Sequence, residues 1–324
     1  MKKALITGIN GQDGSYLSEY LLSLGTYEIH GILKRNSVAE NQTSRLDSIF
    51  DRLKLYYGDM TDMSSLIRSI NKSEPDEIYN LASQSHVRIS FDQPLYTANS
   101  TGLGVLNILE VVKEINPKIK IYQASSSEMF GNSIDPDGYQ RETTPMSPVS
   151  PYGCAKVFGY NISKNYRHSY NMFISNGILF NHESPRRGTN FVTNKVCKEV
   201  VKIKLGLSKK LVLGNLNSSR DWGHATDYVK AMHMILQLDT PDDFVCATGI
   251  SHTVRDLCEY AFKLVDLDYR DWVTSDDKFM RPEELNFLKG DSTKLQNLTG
   301  WVREYTFESM ISEMVEFWLK EYSH

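Results

Sequence analysis

The sequence is poor in several features that would have settled its class at once. Only four cysteines stand among 324 residues, and none forms a CxxC pair. That argues against a disulfide scaffold or a cysteine-based zinc site and fits a reducing compartment. No apolar run approaches the roughly 20 residues needed to span a bilayer. The stretch after Met1-Lys2-Lys3 ends at Thr7-Gly8, too short for the core of a secretory signal. Excess positive charge is missing as well. The net charge is −4, so no basic field draws the chain to nucleic acid or to a membrane surface. Internal repeats, low-complexity tracts and long linkers are also lacking. These absences predict a cytoplasmic globular protein with no nucleic-acid or membrane partner, one that meets any anionic ligand with local Arg and Lys.

What is present is ordinary in bulk, with 40 % hydrophobic and 23 % charged residues. In the first half, apolar runs of strand length alternate with helical patterns. Ala4–Ile6, Ile29–Leu33, Leu53–Tyr57, Glu77–Asn80, Ile119–Gln123 and Phe173–Leu179 are the predicted strands. Tyr16–Leu24, Thr101–Glu114 and Tyr152–Tyr170 are predicted helices between them, and Ala225–Leu238 is another. Repeated β-α-β units with continuously apolar strands predict an α/β fold: a doubly wound parallel sheet covered on both faces, with right-handed crossovers. Residues 1–180 form the expected first domain. Residues 181–224 and 248–324 form a smaller C-terminal lobe, and the helical region near 225–247 returns to the first domain.

Gly8-Ile9-Asn10-Gly11-Gln12-Asp13-Gly14 follows the first strand and opens the first helix. Glycines in that place permit a sharp turn, close approach of backbone to a pyrophosphate, and tight packing of helix on sheet. The helix N-terminus then offers free N–H groups to phosphates. The segment is therefore a candidate dinucleotide site of Rossmann type, a ligand-free tight turn being the plain alternative. The end of the second strand lacks the acid that holds the ribose 2′-hydroxyl of NAD. Lys34-Arg35-Asn36-Ser37 stands there, with no acid before Glu40. The planar fork of Arg35 suits a 2′-phosphate and favours NADP, against the alternative of a solvated basic turn.

A second constellation follows the strand Ile119–Gln123. Ser125-Ser126-Ser127-Glu128 comes directly after it, and Tyr152-Gly153-Cys154-Ala155-Lys156 later, after Ser150-Pro151. Tyr152 and Lys156 share one helix face. An ammonium beside a phenol favours phenolate, which predicts a lowered Tyr152 pKa and a role as base. Ser126, at a strand top, is placed to hydrogen-bond a reacting hydroxyl. Glu128 supplies a second acid/base beyond what hydride transfer needs, the alternative being a surface or capping acid. The YxxxK pattern recurs at Tyr160 and Lys164. That copy lies two turns further from the strand ends where open sheets bind ligands, and is read as structural.

The three-and-three glycine spacing resembles the extended short-chain dehydrogenases. Longer strings resemble one family among them, the GDP-mannose 4,6-dehydratases: GINGQDGS at 8–15, NLASQSHV at 80–87, SSSEMFG at 125–131, SPYGCAK at 150–156, NGILFNHESPRRG at 176–188, LGNLNSSRDWGH at 213–224 and FMRPEELNFLKGD at 279–291. The resemblance runs along nearly the whole chain and implies a carbon–oxygen lyase. In it Tyr152 takes the proton of the sugar 4-hydroxyl as hydride leaves C4 for NADP. Glu128 removes the C5 proton and, with Ser126, helps water leave C6, after which the hydride returns to C6. The product is GDP-4-keto-6-deoxy-mannose.

The same resemblance implies cofactor contacts at Gly8, Gly11, Gln12, Asp13, Gly14, Arg35, Asp59 (near the adenine), Leu81, Ser83, Tyr152, Lys156, His182 and Arg187. It implies substrate contacts at Ser85, Asn181, Lys195, Arg220, Arg281 and Glu284, with GDP in the smaller lobe. His86 and His224 are read as hydrogen-bonded structural residues, and no metal is expected. The loop from Arg35 to Arg45 would reach a neighbour's cofactor site, implying a homotetramer.

The chain departs from the family pattern near the sugar. Ser126 stands where the family usually has Thr, keeping the hydroxyl. Arg88 replaces a small residue, and Met146–Val149 (MSPV) replaces aromatic and arginine residues. Smaller groups there would widen the pocket around C6, which raises GDP-manno-heptose as an alternative substrate. Two rivals remain: C4 oxidation or epimerisation without dehydration, which the retained Glu128 opposes, and an NADP-binding homologue without turnover, which the intact Ser126, Tyr152 and Lys156 oppose.

Overall fold

The computed structural model describes residues 1–35, 43–276, 278 and 283–323. The chain begins with β1 (Lys2–Thr7), α1 (Gln12–Ser23), β2 (Tyr27–Leu33), β3 (Leu53–Tyr57), α2 (Met63–Ser73) and β4 (Glu77–Asn80). Two short helices, α3 (Val87–Asp92) and α4 (Pro94–Thr97), lead through a π-helical turn at Ala98–Leu103 into α5 (Gly104–Ile115). Then come β5 (Lys120–Ser126), α6 (Pro151–Ser169) and β6 (Ile174–Leu179). The remainder supplies β7 (Asn181–Glu183), α7 (Val192–Lys204), β8 (Leu211–Leu213), β9 (Ser219–His224), α8 (Ala225–Leu236), β10 (Asp243–Cys246) and β11 (Ser251–Thr253). It ends with α9 (Val254–Lys263), β12 (Val273–Ser275), α10 (Thr293–Thr299) and α11 (Phe307–Tyr322).

Seven strands form one sheet in the order β10-β6-β5-β4-β1-β2-β3, and every neighbouring pair in it is parallel. This is the doubly wound α/β arrangement, a Rossmann-type sheet with an added seventh strand. Its strands are apolar on both faces because both faces are covered. Leu17 and Leu21 of α1 pack with Met232 and Ile235 of α8 on one side. Leu66 and Ile70 of α2 pack with Val105, Ile108 and Val112 of α5 on the other. The helix expected over Thr101–Glu114 divides at Gly104, where the small and polar run Ala98–Gly104 has weak helical propensity.

The strand order reverses between β1 and β4, so their carboxyl ends open a crevice. In such sheets that crevice is the ligand site. Two small sheets stand over it, β11-β9-β7 and β12-β8. Their core joins Val196 and Val200 of α7, Leu257 and Phe262 of α9, Met310 and Met314 of α11, and Trp222 of β9.

The chain crosses back between these layers. α8 packs on α1, and β10 pairs with β6. The tail from 248 does not belong to the lobe alone, the place its sequence suggests, because Leu295 and Trp301 lie in the α1–α8 cluster. Trp301 is held there because its indole N–H donates to the Asp227 carbonyl at 2.8 Å.

Candidate active site

The sheet end of the crevice is shaped by the glycine turn after β1. Gly8 has φ +68°, and a Cβ on Gly14 would lie 2.5 Å from the Gly8 carbonyl oxygen and 2.6 Å from Ile9 Cα. Only glycines let α1 begin so close beneath the turn. Gly11 caps α1 without a side-chain hydrogen bond, so first-turn N–H groups stay available to an anion.

Gln12 and Asp13, the next residues, reach across to β7. Gln12 Nε2 donates to the His182 carbonyl at 3.0 Å, and Gln12 Oε1 accepts from Ser184 Oγ at 2.8 Å. His182 Nδ1 lies 2.7 Å from the Phe180 carbonyl and Nε2 2.8 Å from Asp13 Oδ2. Burial pushes the Asp13 carboxyl up, but the charge and hydrogen bond of His182, the Gln12 amide and the Arg187 charge outweigh it and hold it at about 2. Burial pulls His182 down, and the Asp13 pair more than reverses that, so its pKa is raised. The pairing favours the charged form of both groups.

Thr7 Oγ1 donates to Asn80 at 2.7 Å and accepts from the N–H groups of Leu81 and Ala82. Lys34 Nζ sits 2.8 Å from Asp59 Oδ2 and donates to Tyr96 at 2.8 Å. Arg35 does not line the crevice; it is exposed, its guanidinium 6.0 Å from the Tyr57 ring. Arg45 does line it, donating to the Asn10 carbonyl at 3.2 Å. Residues 36–42 of the intervening loop lie outside the described residues.

The catalytic candidates meet where β5 ends beside α6. Ser126 Oγ accepts from the Glu128 N–H at 3.2 Å, and both residues are buried. Ser150 caps α6 by accepting from the Gly153 N–H at 3.0 Å, with Pro151 in the first turn. A Cβ on Gly153 would fall 2.8 Å from the Glu128 carbonyl, so glycine there lets the helix start against the Ser126–Glu128 turn. Lys156 Nζ donates to the Ala124 carbonyl at 2.8 Å and stands 5.7 Å from the centre of the Tyr152 ring.

These contacts correct one expectation. The Tyr152 pKa is not lowered; burial first, then the Glu128 charge, push it up to about 12 against the pull of the Ser126 hydroxyl. Burial also brings Lys156 down to about 8. Desolvation acts on both groups, and the ammonium is turned to a carbonyl rather than to the phenol. The second pair, Tyr160 and Lys164, engages Asp243 at 3.0 and 3.7 Å, away from the crevice.

The expected substrate contacts Ser85, Asn181, Lys195, Arg220 and Glu284 all line the same cavity, of about 710 Å³. Arg281 lies outside the described residues. Lys195 Nζ donates to the Val212 carbonyl at 2.8 Å, and Arg220 Nη1 to the Ser219 carbonyl at 2.9 Å. Arg187 pairs with Glu183 at 3.1 Å, its guanidinium 3.7 Å from the Phe191 ring. Leu81, Ser83, Asp59, His182 and Arg187 line the cavity together with the glycine turn and the four catalytic candidates.

Met146–Val149 do not line the cavity. Met146 and Val149 pack against the Met129–Phe130 cluster, so their size does not set the room near the catalytic residues. Arg88 lines the cavity and pairs with Asp92 at 2.8 Å. Sequence reasoning missed Lys34 and Ser218 as cavity residues and gave Arg45 no role of its own. Lys34 was visible beside Arg35, but no pattern marks Ser218. His86 and His224 cap α3 and α8. Among the described residues, no cluster of three or more His, Cys, Asp or Glu is placed to hold a metal, and no helix is long and apolar enough to cross a membrane.

Comparison with known proteins adds to this geometry. A family model described as GDP-mannose 4,6 dehydratase matches residues 5–314. A GDP-mannose 4,6 dehydratase of Arabidopsis thaliana is 48 % identical over 327 residues, covering 97 % of this chain and 89 % of the relative. A dTDP-glucose 4,6-dehydratase from Bacillus anthracis, solved with NAD, superposes with TM-score 0.85 at 24 % identity, covering 100 % of this chain and 98 % of that one. The RMD protein of Pseudomonas aeruginosa, solved with NADPH, gives TM-score 0.82 at 20 % identity, covering 99 % and 100 %. At those identities the two structures speak to the fold.

Proposed function

This chain belongs to the GDP-mannose 4,6-dehydratase family, and on that premise we propose that it converts GDP-mannose to GDP-4-keto-6-deoxy-mannose with the side chains of the cavity described above. The observation that carries this reading is the meeting of Ser126, Glu128, Tyr152 and Lys156 in one cavity with the glycine turn.

The sheet end fits a nicotinamide dinucleotide. A Cβ-intolerant turn, an uncapped helix start and nearby cations suit a pyrophosphate. The missing acid after β2, with Lys34 and Arg45 lining the cavity, favours NADP. Bound there, the nicotinamide would accept hydride from sugar C4 and return it to C6.

The chain's own residues handle the protons. In the ligand-free protein, burial holds the Tyr152 phenol protonated. Beside the positive charge of an oxidised nicotinamide, which favours the phenolate, Tyr152 takes the proton of the 4-hydroxyl, with Ser126 as its hydrogen-bond partner. The C4 ketone acidifies C5, and Glu128 removes the C5 proton. Glu128 and Ser126 then deliver that proton to the C6 hydroxyl, which leaves as water, and Tyr152 passes the proton it took from the 4-hydroxyl to C5 as the C5–C6 double bond is reduced. Arg220 and Lys195 hold the diphosphate, with Asn181 and Glu284 toward the nucleoside. Release of a free 4-keto sugar without dehydration is disfavoured by the placement of Glu128, buried beside Ser126 in the cavity. The packing of Met146 and Val149 outside the cavity lining supports mannose over the GDP-manno-heptose alternative.

The assembly we propose is a homotetramer in the cytoplasm. Four unpaired thiols suit a reducing compartment, and light scattering of the purified chain tests the assembly. The catalytic assignment is tested in deuterated water. Wild-type protein is expected to release water from GDP-mannose and leave deuterium at C5. Glu128→Gln is expected to release water ~10²–10⁴-fold more slowly. Wild-type turnover by that variant would remove Glu128 from the elimination.

A further inference from the structure

The lobe end of the cavity holds a buried hydroxyl with no partner among the described residues. Ser218 is 6 % exposed and lines the cavity, and its Oγ has no hydrogen-bond partner among the described residues. An unpaired buried hydroxyl costs free energy that an alanine at the same place would not. A ligand entering the cavity can complete such a group.

Its place in the fold says what that ligand is. Ser218 leads into β9, where alternate residues face opposite sides. Ser218, Arg220 and Trp222 all line the cavity. Asp221, between them, faces away and binds Thr248, Gly249 and Gly290. Ser218 therefore belongs to the face that presents Arg220, one two-residue repeat, roughly 7 Å, beyond it.

Its neighbours come from the lobe. The Ser218 carbonyl accepts from the Val254 N–H at 3.1 Å, and Val254, at the start of α9 in the lobe, lines the cavity too. No catalytic or glycine-turn residue is among these contacts. With Arg220 on the diphosphate, the position one repeat away in lobe-only surroundings is that of the nucleoside.

We propose that Ser218 is a specificity-determining residue whose Oγ hydrogen-bonds the nucleoside part of a guanosine diphosphate sugar, through a ribose hydroxyl or the guanine edge. This rests on the nucleotide-sugar reading given above and extends it to a residue with no chemical role in the reaction.

The test compares wild type with Ser218→Ala. GDP binding is measured by calorimetry, GDP-mannose turnover by steady-state kinetics, and unfolding of the ligand-free protein by heating. GDP affinity and 1/KM are expected to fall about 3- to 10-fold, with kcat within about twofold. The ligand-free variant should melt no lower than wild type, because the hydroxyl it loses had no partner; a residue with a merely structural role would lower the melting temperature instead. Loss of the wild-type preference for GDP over 2′-deoxy-GDP places the contact on the ribose, and loss of the preference over inosine diphosphate places it on guanine. Unchanged GDP affinity in Ser218→Ala, with wild type binding GDP normally, overturns this inference alone. Failure of wild type to bind GDP at all overturns the nucleotide-sugar reading and this inference with it.

Discussion

At the sheet end of the cavity the polar side chains are tied to the protein itself. Asp13 is paired with His182, Lys34 with Asp59, Lys156 with the Ala124 carbonyl, and Thr7 with Asn80. At the lobe end, Asn181 Oδ1 and Ser218 Oγ are buried and have no partner among the described residues. The first region is a finished frame that fixes where a dinucleotide and the reacting carbons lie. The second, beside Lys195 and Arg220 bonded to carbonyls, keeps these two unpaired groups, whose cost is recovered when a ligand arrives. Dehydration at C5 and C6 needs the reacting carbons to stay fixed while the sugar passes through its 4-keto form, and a rigid frame on one side with a ligand-completed clamp on the other meets that need.

The comparison breaks most sharply at its catalytic centre. Tyr152→Phe is expected to lower kcat by ~10²–10⁴-fold with little change in GDP affinity, as read by steady-state kinetics and calorimetry. A KM effect alone would mean that Tyr152 belongs to the clamp. On the lobe side, Arg220→Met should raise KM for GDP-mannose about 10- to 100-fold, the range of a charge-assisted hydrogen bond. If kcat fell instead, Arg220 would act on the chemistry.

The ion pair of the frame has its own signature. Asp13→Asn should destabilise the ligand-free protein by about 2 kcal/mol, measured by denaturant unfolding. Asp13 has a depressed pKa, so its contribution is present above the ordinary carboxyl value of 3.8 and lost as pH falls through about 2. His182 has a raised pKa, so its contribution is complete below 6.5 and lost as pH rises through the higher folded value. The gap between wild type and variant should therefore be widest between pH 3.8 and 6.5. A pH-independent gap would contradict the ionic pair. The smallest effect concerns cofactor choice: Arg45→Ala should cost NADP about 3- to 10-fold in affinity and leave NAD nearly unchanged, with fluorescence titration as the readout.

Much of the sheet was legible because its signals are local. Leu53–Tyr57 and Glu77–Asn80 are strands with the limits read from apolar runs, and the glycine turn lies between β1 and α1. Strand β5 runs on to Ser126, beyond the predicted end at Gln123. A parallel strand turns polar where its carboxyl end meets a ligand site, and the serines hid that continuation. Tyr152 and Lys156 could be paired from spacing, but burial decides their pKa values and leaves no mark on spacing. Lobe residues such as Asn181, Arg220 and Glu284 come from separate segments, so resemblance rather than periodicity brought them together. The lack of a partner at Ser218 exists only in three dimensions.

The most direct test of the central claim follows the nucleotide sugars by mass spectrometry while purified protein acts on GDP-mannose with a catalytic amount of NADP. The account predicts loss of one water from the substrate with no accumulation of NADPH. A 4-keto product that retains its water, formed with stoichiometric reduced cofactor, would contradict it.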